Sequence, residues 1–447
     1  MLLKKRDDLI ERMIVKNSSQ KLSTEPYRGT RDFYPEDMGL QNHIFSTMKK
    51  VVERYGYVEY GASILEETAI YRAKTGSEIV NEQTYSFIDR GGRDVTIRPE
   101  MTPTIARMVA RKRKELSFPL RWYSIPNLFR YERPQRGRLR EHWQLNVDLF
   151  GVDHVEADAE IISVAYDIMK SCGAKEENFV IRLNNRKLIN DLIDDYFSLE
   201  KEKGYQLTKL IDRKEKIEEN EFISQAEKFL GNRTKELMSF LACRKVSEIP
   251  NEFSENISAK GLQALQKILE EKGVKNCIFD PALIRGFDYY TGTVFEVFDT
   301  NPINSRSLFG GGRYDDLVAI FGAEKVPGVG FGMGDVTIRD YMETYNLLPN
   351  YRSPTKLYIC CLKEGFTKFA NELANYLRAQ DVNVAVDYTG RKIPAQIKTA
   401  EKQSIPFVVC IGDEEVKTRA FRLKNLVKRD EQVVSWETFP NLILENK

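Results

Sequence analysis

An arginine-rich segment is the most unusual part of this sequence. Five arginines fall between Arg130 and Arg140, with aromatic residues interleaved and Gly137 among them. The planar guanidinium group can donate paired hydrogen bonds to phosphate oxygens, and glycine permits a tight turn. We therefore expect a β-hairpin whose loop binds a polyphosphate or a nucleic-acid backbone, with Arg138 and Arg140 on one strand face. The alternative is a solvated hairpin that carries Arg–Glu surface pairs.

A carboxylate stands at the start of a predicted helix in the segment Arg98–Thr102. Pro99 favours extended backbone in the residue before it, and the Thr102-Pro103 pair is typical of a helix start. Glu100 could therefore hold the ammonium group of a substrate. Capping of the helix by Glu100 or Thr102 is the alternative.

A single arginine interrupts the apolar start of the segment Leu283–Gly292. Burying Arg285 is costly unless the guanidinium group is paired or meets an anionic ligand. Asp288 could be its partner, so a purely structural pair is the alternative to a ligand site.

Two glycine clusters follow. Phe309–Asp315 contains three consecutive glycines, which would let a ligand approach the backbone but also occur in ordinary turns. Gly328–Asp335 alternates glycine with apolar residues, so one face of that strand would be bare and suits a flat ring such as adenine. It does not indicate a dinucleotide-binding loop, because no βαβ unit with an acidic residue follows.

The elements that must position these segments form two patterns. Apolar spacing predicts a helix over Gly39–Tyr55, and β-rich runs predict strands over Tyr57–Leu65, Tyr85–Ile88, Leu120–Tyr131, His142–Phe150 and Val294–Phe298. A helix followed by antiparallel strands and a long hairpin favours an α+β domain. Between about Asn185 and Glu271, Lys and Glu dominate and Leu or Ile recurs every three or four residues. That stretch predicts a helical module inserted into the first domain.

A proline-bearing linker at residues 348–354 precedes a second domain. Strands and helices are predicted to alternate over Leu357–Leu362, Phe366–Gln380, Val382–Asp387, Ala395–Lys402 and Pro406–Ile411, which indicates a small α/β domain. The expected boundaries are 1–24 for an N-terminal extension, 25–184 and 272–348 for the first domain, 185–271 for the insertion and 354–447 for the second domain.

Composition narrows the class of protein. The 447 residues are 42% hydrophobic, enough for two or three domains. The 68 Lys+Arg and 66 Asp+Glu residues leave a net charge of +2, so a nucleic-acid role cannot be inferred from net charge. No apolar run predicts a signal peptide or a membrane span. The six scattered cysteines form no CxxC pair, which favours reduced thiols in a cytosolic protein over a zinc site.

Together these segments resemble a class II aminoacyl-tRNA synthetase, and within that class the histidyl-tRNA synthetase family. The resemblance begins at Tyr27–Asp32 and extends into the second domain. Arg130–Glu132 and its loop resemble class II motif 2, and Leu283–Tyr290 and Gly310–Tyr314 resemble the two histidine-specific signatures. Residues 382–396 resemble the anticodon-binding domain. The implied fold is an antiparallel-sheet catalytic domain with a helical insertion, plus a C-terminal α/β anticodon-binding domain.

The resemblance also implies an activity and partners. ATP would activate L-histidine to histidyl-adenylate with release of pyrophosphate, and histidine would then be transferred to the 3′ end of tRNA(His). Mg²⁺ would accompany ATP without dedicated protein ligands. A homodimer in the cytoplasm, with no membrane association, is expected.

The resemblance implies a role for each matching residue. Arg130 and Arg285 would be catalytic, because they would approach the α-phosphate of ATP. The residues implied to bind histidine are Glu100, Met101, Thr102, Arg130, Gln144, Asp148, Arg285, Tyr289 and Tyr290. Those implied to bind ATP are Arg130, Glu132, Arg138, Gly330 and Gly332. Arg133 and Gln135 would meet the acceptor end of the tRNA.

Three positions depart from the family pattern. Ser63 replaces the motif 1 proline, in a segment of the dimer interface. Asp148 stands where most bacterial relatives carry glutamate, so the charge is kept with a shorter reach. Val336 and Thr337 replace the Glu-Arg pair of motif 3, whose arginine grips ATP. Arg339 is two positions further, about 200° round the helix, and is expected to face away.

The missing arginine leaves an alternative function. A catalytically silent paralogue could sense histidine or uncharged tRNA, and a related branch of the family serves as a regulatory subunit of histidine biosynthesis. The intact segment Arg285–Tyr290 and the second domain favour the ligase. The two histidine-specific segments disfavour a prolyl or threonyl enzyme.

Overall fold

The computed structural model of the chain describes residues 22–73, 83–250, 256–284, 289–304 and 306–445. Contacts divide the chain into two compact units. The larger unit runs to Asp32 and then from Gln41 to Leu348, and the smaller unit holds Phe33–Leu40 and the residues from Pro349 onward. Most of the predicted N-terminal extension, residues 1–21, lies outside the described residues.

The larger unit is built on a broad sheet. Its strands are β1 Val58–Glu59, β2 Leu65–Glu67, β3 Tyr85–Ile88, β4 Asp94–Ile97, β5 Leu120–Ser124, β6 Asn127–Phe129, β7 Glu141–Phe150, β8 Phe179–Asn185, β9 Cys277–Phe279, β10 Thr293–Asp299, β11 Ser307–Arg313 and β12 Gly328–Gly334. Nine of these described strands form one sheet in the order β1-β5-β7-β12-β11-β10-β8-β9, with β6 paired to β7. Strands β2, β4 and β3 form a small antiparallel sheet.

The pairing within the large sheet is antiparallel except at its edges. Only β1 with β5 and β8 with β9 are parallel among the described strand pairs of this sheet. The predicted α+β class with an antiparallel core is therefore confirmed. Two predicted strands are wrong in extent. Tyr57–Leu65 contains β1 and only the first residue of β2, and Leu120–Tyr131 is divided into β5 and β6 at Pro126, which has no backbone N–H to donate.

Helices pack against this sheet, and several of them occupy the gap in the sequence between β8 and β9. The helices outside that gap are Pro35–Arg54, Ala69–Arg72, Thr102–Lys112, Val155–Ser171 and Asp335–Thr344. Those between β8 and β9 are Arg186–Asp191, Lys201–Asp212, Glu219–Leu230, Thr234–Ala242 and Ile257–Glu271. Met48 of the first helix and Val147 of β7 belong to one buried cluster. Burying each such side chain stabilises the fold by roughly 1.5–3 kcal/mol.

The smaller unit is an α/β domain. Its strands are β13 Leu357–Cys361, β14 Val384–Val386, β15 Phe407–Ile411, β16 Ala420–Asn425 and β17 Asp430–Ser435. Its helices beyond the linker are Thr367–Arg378, Ile393–Lys402, Asp413–Thr418 and Phe439–Glu445. The sheet order is β14-β13-β15-β16-β17, parallel over the first three strands and antiparallel over the rest. The predicted alternation of three strands and two helices is confirmed, and the elements after Ile411 were not predicted.

Two further observations concern the class of protein. In the described part of the chain, no helix combines the length and the apolar character needed to span a membrane. All six cysteines are unpaired thiols.

Candidate active site

One face of the large sheet forms the floor of the candidate site. Successive side chains of a strand point to opposite faces, and Val147 of β7 lies in the apolar core. Gln144, Asn146 and Asp148 therefore lie on the other face. The neighbouring strand β12 places a glycine beside each of these three residues, so polar side chains and bare backbone share this surface.

The glycines of β12 make room for the side chains of β7. A Cβ atom on Gly330 would lie 2.6 Å from Oδ1 of Asp148 and 2.9 Å from the Tyr314 hydroxyl, and one on Gly332 would clash with the Gln144 amide. These side chains cover the strand face that the sequence predicted to be bare. Glycine is required here for that reason, and contact of Gly330 and Gly332 with ATP stays a prediction.

Asp148 is a buried carboxylate with one oxygen in a hydrogen bond. The Tyr314 hydroxyl donates to its Oδ1, while Oδ2 accepts no hydrogen bond from the described residues. Burial raises the pKa of Asp148 to about 7, and the Tyr314 hydrogen bond acts in the opposite direction. A group that donates an N–H to Oδ2 would relieve the cost of this buried oxygen.

Three tyrosine rings cluster near Asp148, and one of them, Tyr314, contacts it. The ring centroids of Tyr289 and Tyr290 are 4.9 Å apart, and those of Tyr289 and Tyr314 are 6.0 Å apart in an edge-on arrangement. All three tyrosines line the same cavity. A flat ring of about the size of imidazole in this part of the cavity would contact tyrosine rings.

Glu100 lies immediately before the helix Thr102–Lys112. Met101 occupies the N-cap position without a side-chain hydrogen bond, so the capping interpretation of Glu100 and Thr102 is wrong. The Glu100 side chain is 3% exposed, and one of its oxygens accepts a hydrogen bond from the Tyr289 hydroxyl at 3.1 Å. The Met101 side chain is fully buried. Glu100 and Thr102 both line the cavity.

The arginine-rich segment forms the predicted hairpin. Strand β6 pairs with β7 in antiparallel register, and Gly137 adopts a positive φ of 74° at the turn. Nε of Arg130 donates to the Pro99 carbonyl oxygen at 2.9 Å, which fixes this arginine beside Glu100. Arg138 forms an ion pair with Glu132 at 3.2 Å. The predicted Arg–Glu pair is therefore present, but its members line the cavity.

The loop tip is attached to the helix Asp335–Thr344. The Gly137 N–H donates to the Asp340 carboxylate at 2.9 Å, and Arg136 donates to the Asp340 carbonyl oxygen. Arg133 and Gln135 are exposed on this loop. Arg140 stacks over the Tyr131 ring at 4.1 Å, outside β7, so its predicted place on one strand face with Arg138 is wrong.

The chain has no cation at position 337. The Thr337 hydroxyl donates to the Leu308 carbonyl oxygen at 2.6 Å and lies 3.1 Å from that of Gly334. Arg339 donates to Glu343, one turn along the helix, at 3.1 Å. Its orientation away from the cavity agrees with the expectation from helix geometry.

A cavity of about 1030 Å³ lies among these residues, although Met101 and Asp148 are not part of its lining. The predicted site residues that line it are Glu100, Thr102, Arg130, Glu132, Arg138, Gln144, Tyr289, Tyr290, Gly330 and Gly332. Its size suits two ligands, such as a nucleotide and an amino acid. The described residues contain no group of three or more His, Cys, Asp or Glu side chains arranged to hold a metal ion. Arg285 lies outside the described residues.

The sequence did not single out several residues that line this cavity. Tyr314 is part of a predicted signature, but no role was assigned to it. His142 also lines the cavity, and burial together with the charges of Arg130 and Arg31 lowers its pKa to about 3, so it is neutral. Asp212 and Glu215 come from the inserted helices. No local pattern marks them, because their position depends on how the insertion packs.

Comparison with protein families gives two matches. Residues 29–336 match the model of histidyl-tRNA synthetase, and residues 356–446 match that of an anticodon-binding domain. The chain is 43% identical over 423 residues to the histidine–tRNA ligase of Leptospira biflexa, covering 93% of this chain and 96% of that one. It is 34% identical over 420 residues to the histidine–tRNA ligase of Thermoplasma volcanium, covering 93% and 97%.

Solved structures agree in fold. The histidyl-tRNA synthetase of Nostoc sp. PCC 7120 superposes with a TM-score of 0.81 at 22% identity, covering 96% of this chain and all of that one. A Bacillus halodurans protein described as an ATP phosphoribosyltransferase regulatory subunit/histidyl-tRNA synthetase superposes with a TM-score of 0.71 at 24% identity, covering 85% and 97%. The fold is therefore shared with a histidyl-tRNA synthetase and with a protein whose description names both a regulatory subunit and a synthetase.

Proposed function

The chain belongs to the histidyl-tRNA synthetase family and is a histidine–tRNA ligase, and on that basis we propose which of its residues carry out each part of the reaction. ATP activates L-histidine to histidyl-adenylate with release of pyrophosphate, and histidine then passes to the 3′ end of tRNA(His). The proposed domains are the catalytic domain at 25–184 and 272–348, the helical insertion at 185–271 and the anticodon-binding domain at 354–447.

Asp148 and Tyr290 read the imidazole ring in this proposal, with Tyr289 beside them. The observation that carries it is the buried Asp148 carboxylate, whose Oδ2 lacks a hydrogen-bond donor among the described residues. An imidazole N–H supplies that donor. A substrate without it would leave a buried oxygen unpaired, which gives discrimination against other amino acids.

Glu100 and Thr102 hold the α-amino group, and Gln144 lies beside the same ligand. Glu100 is buried and already accepts a hydrogen bond from Tyr289, so its carboxylate is fixed before the substrate arrives. A carboxylate in that environment interacts strongly with an ammonium ion. Met101 supports this segment as its buried N-cap residue.

Arg130 and Arg285 stabilise the α-phosphate during adenylation. The histidine carboxylate attacks the α-phosphorus, the bond to the bridging oxygen breaks, and pyrophosphate leaves. Negative charge that develops at the α-phosphate is met by fixed positive charge, and aligned reactants supply much of the rate. The bond from Arg130 to the Pro99 carbonyl oxygen supports this role, since it fixes the guanidinium group near Glu100.

Glu132 and Arg138 bind the nucleotide beyond the α-phosphate, and Gly330 and Gly332 form backbone beside it. Glu132 and Glu296 line the cavity, and carboxylate oxygens are the type of ligand that Mg²⁺ prefers. A magnesium ion would enter with ATP, held by the phosphates and not by a dedicated protein site, and would lie near these two residues. Such an ion neutralises charge on the phosphates when it is bound.

Arg133 and Gln135 meet the acceptor end of the tRNA, which their exposure on the hairpin loop supports. Residues 354–447 bind the anticodon. The proposed assembly is a homodimer that works in the cytoplasm, where ATP and tRNA are available. The homodimer and the cytoplasmic location are proposed because the chain belongs to this family.

Exchange of labelled pyrophosphate into ATP tests the function. The purified protein with Mg²⁺ should catalyse exchange with L-histidine and not with proline or threonine, and should then charge tRNA(His). Absence of exchange, with active tRNA present, would contradict the ligase and favour a sensor of histidine or uncharged tRNA.

A further inference from the structure

At the nucleotide end of the cavity, position 337 carries no positive charge, although a cation is expected there. The β- and γ-phosphates carry most of the negative charge of ATP and require cations to bind and to leave as pyrophosphate. Thr337 cannot supply one, because its side chain is neutral, and its hydroxyl already donates to the Leu308 carbonyl oxygen. His142 cannot either, because burial keeps its imidazole neutral.

The described cations that line the cavity differ in their partners. They are Arg130, Arg138, Arg182, Lys216 and Arg306. Arg182 is already bound by the two carboxylates of Glu215 and Asp280, at 2.6 and 3.1 Å. Lys216 is close enough to Asp212 to stabilise its carboxylate. Negative charge thus surrounds both of them, which makes them poor sites for a polyphosphate.

Arg306 differs from the other four cations that line the cavity. It is exposed to the cavity and makes no hydrogen bond or ion pair with any described residue. It directly precedes β11, two residues before Leu308, whose carbonyl oxygen receives the Thr337 hydroxyl. An arginine with no partner beside a neutral position 337 can place its charge where that position has none.

The segment that carries Arg306 is attached to the arginine-rich loop. Nε of Arg136 donates to Oδ1 of Asn304 at 3.1 Å. Asn304 in turn donates to Asp299 at 2.6 Å. These bonds hold the turn before Arg306 next to the loop that bears Arg138, so both guanidinium groups serve the same end of the cavity.

We propose that Arg306 binds the β- and γ-phosphates of ATP and the pyrophosphate product, and supplies the positive charge that position 337 lacks. This inference rests on the proposed ATP site. Planar guanidinium nitrogens of Arg306 and Arg138 donate to non-bridging phosphate oxygens from two sides. The contact ends when pyrophosphate leaves, so it acts on ATP and pyrophosphate and not on the adenylate.

Kinetics of the full-length Arg306→Ala variant test this proposal. The KM for ATP in histidine-dependent exchange and the KM for pyrophosphate should each rise about tenfold or more, the size expected for a lost charge-assisted bond. The KM for histidine and the Kd of a non-hydrolysable histidyl-adenylate analogue should stay within twofold. The KM values of Arg306→Lys for ATP and pyrophosphate should lie between those of Arg306→Ala and those of the parent chain.

Two comparisons keep the result interpretable. Arg339→Ala removes an arginine paired with Glu343 and should change neither KM. Thr337→Arg in the Arg306→Ala background should restore part of the ATP affinity. Unchanged KM values for ATP and pyrophosphate in Arg306→Ala, or equal weakening of the adenylate analogue, would overturn the inference. Absence of exchange by the parent chain would instead contradict the proposed function.

Discussion

The Tyr314 hydroxyl donates a hydrogen bond to Oδ1 of Asp148, and Oδ2 of the same carboxyl group accepts none from the described residues. Tyr314 therefore orients the carboxylate without using its second oxygen. Gly330 makes this arrangement possible, because any side chain there would meet both groups. The chemistry attributed to Asp148 thus depends on a tyrosine and a glycine from two neighbouring parts of the sheet.

The use of histidine should depend on pH through Asp148. Burial raises its pKa to about 7, and the ionised carboxylate is the form that binds an imidazole N–H. The value of kcat/KM for histidine should therefore rise with pH through about 7. Free histidine also titrates near pH 6.5, so the ratio to the Asp148→Asn variant isolates the contribution of the enzyme.

The same shift affects stability with the opposite sign. A carboxyl group with a raised pKa in the folded state stabilises the fold below the unfolded value of about 3.9, and that contribution is lost as pH rises through 7.

Tyr314→Phe removes a hydrogen bond that lowers the Asp148 pKa. The midpoint of the kcat/KM profile should move to higher pH, and an unmoved midpoint would show that Tyr314 does not act on Asp148.

Gly330→Ala should weaken histidine binding strongly. The added Cβ would lie 2.5 Å from the Val147 carbonyl oxygen and 2.6 Å from Asp148 Oδ1, so the carboxylate must move. A rise in the histidine KM of about 100-fold is expected. Gly261→Ala is the matched control, since its Cβ meets no described atom within 4 Å and lies within a helix. That change should raise the free energy of unfolding by up to about 1 kcal/mol.

Arg285→Ala should separate chemistry from binding. The resemblance places this arginine at the α-phosphate, so the rate of adenylation should fall by orders of magnitude. Histidine binding, followed by equilibrium dialysis, should remain within a few-fold of the parent chain. Equal loss of both quantities would mean that Arg285 is structural.

Asp158→Ala should destabilise the catalytic domain. Nη2 of Arg313 contacts Asp158 at 2.5 Å, and both side chains are buried. Removal of Asp158 leaves the buried Arg313 with the weaker pair to Asp315 at 3.2 Å, at a cost of up to roughly 3 kcal/mol in the free energy of unfolding. Glu343→Ala breaks the more exposed pair with Arg339 and should cost no more than about 1 kcal/mol. Denaturant unfolding of both variants checks the contrast, and equal costs would contradict it.

The sequence predicts local elements better than the packing of the sheet. The helix over Gly39–Tyr55 and the hairpin around Gly137 follow from apolar spacing and turn chemistry, and both are present. The helix Val155–Ser171 was not predicted. Eleven of its residues are buried, including Asp158 and Ser163, so polar and apolar residues do not separate into the two faces that periodicity detects.

In the candidate site, too, the sequence predicts the motif residues but not the contacts that form between strands. Motif residues such as Glu100 and Arg130 are brought together at one cavity, because each lies on a segment with a strong local pattern. The roles of Tyr314 and Arg306 depend on cross-strand neighbours and on which cations find partners. Those relationships arise only when the strands are paired, so sequence spacing does not reveal them.

The most direct test of the central proposal is the steady-state kinetics of Asp148→Asn in histidine-dependent pyrophosphate exchange. The amide keeps the size of the side chain and its bond with Tyr314 but removes the charge that accepts the imidazole N–H. The KM for histidine should rise about 100-fold, as expected for a lost charge-assisted hydrogen bond, while the KM for ATP stays within twofold. A histidine KM within twofold of the parent value, or an equal rise in both constants, would contradict recognition of the imidazole by Asp148.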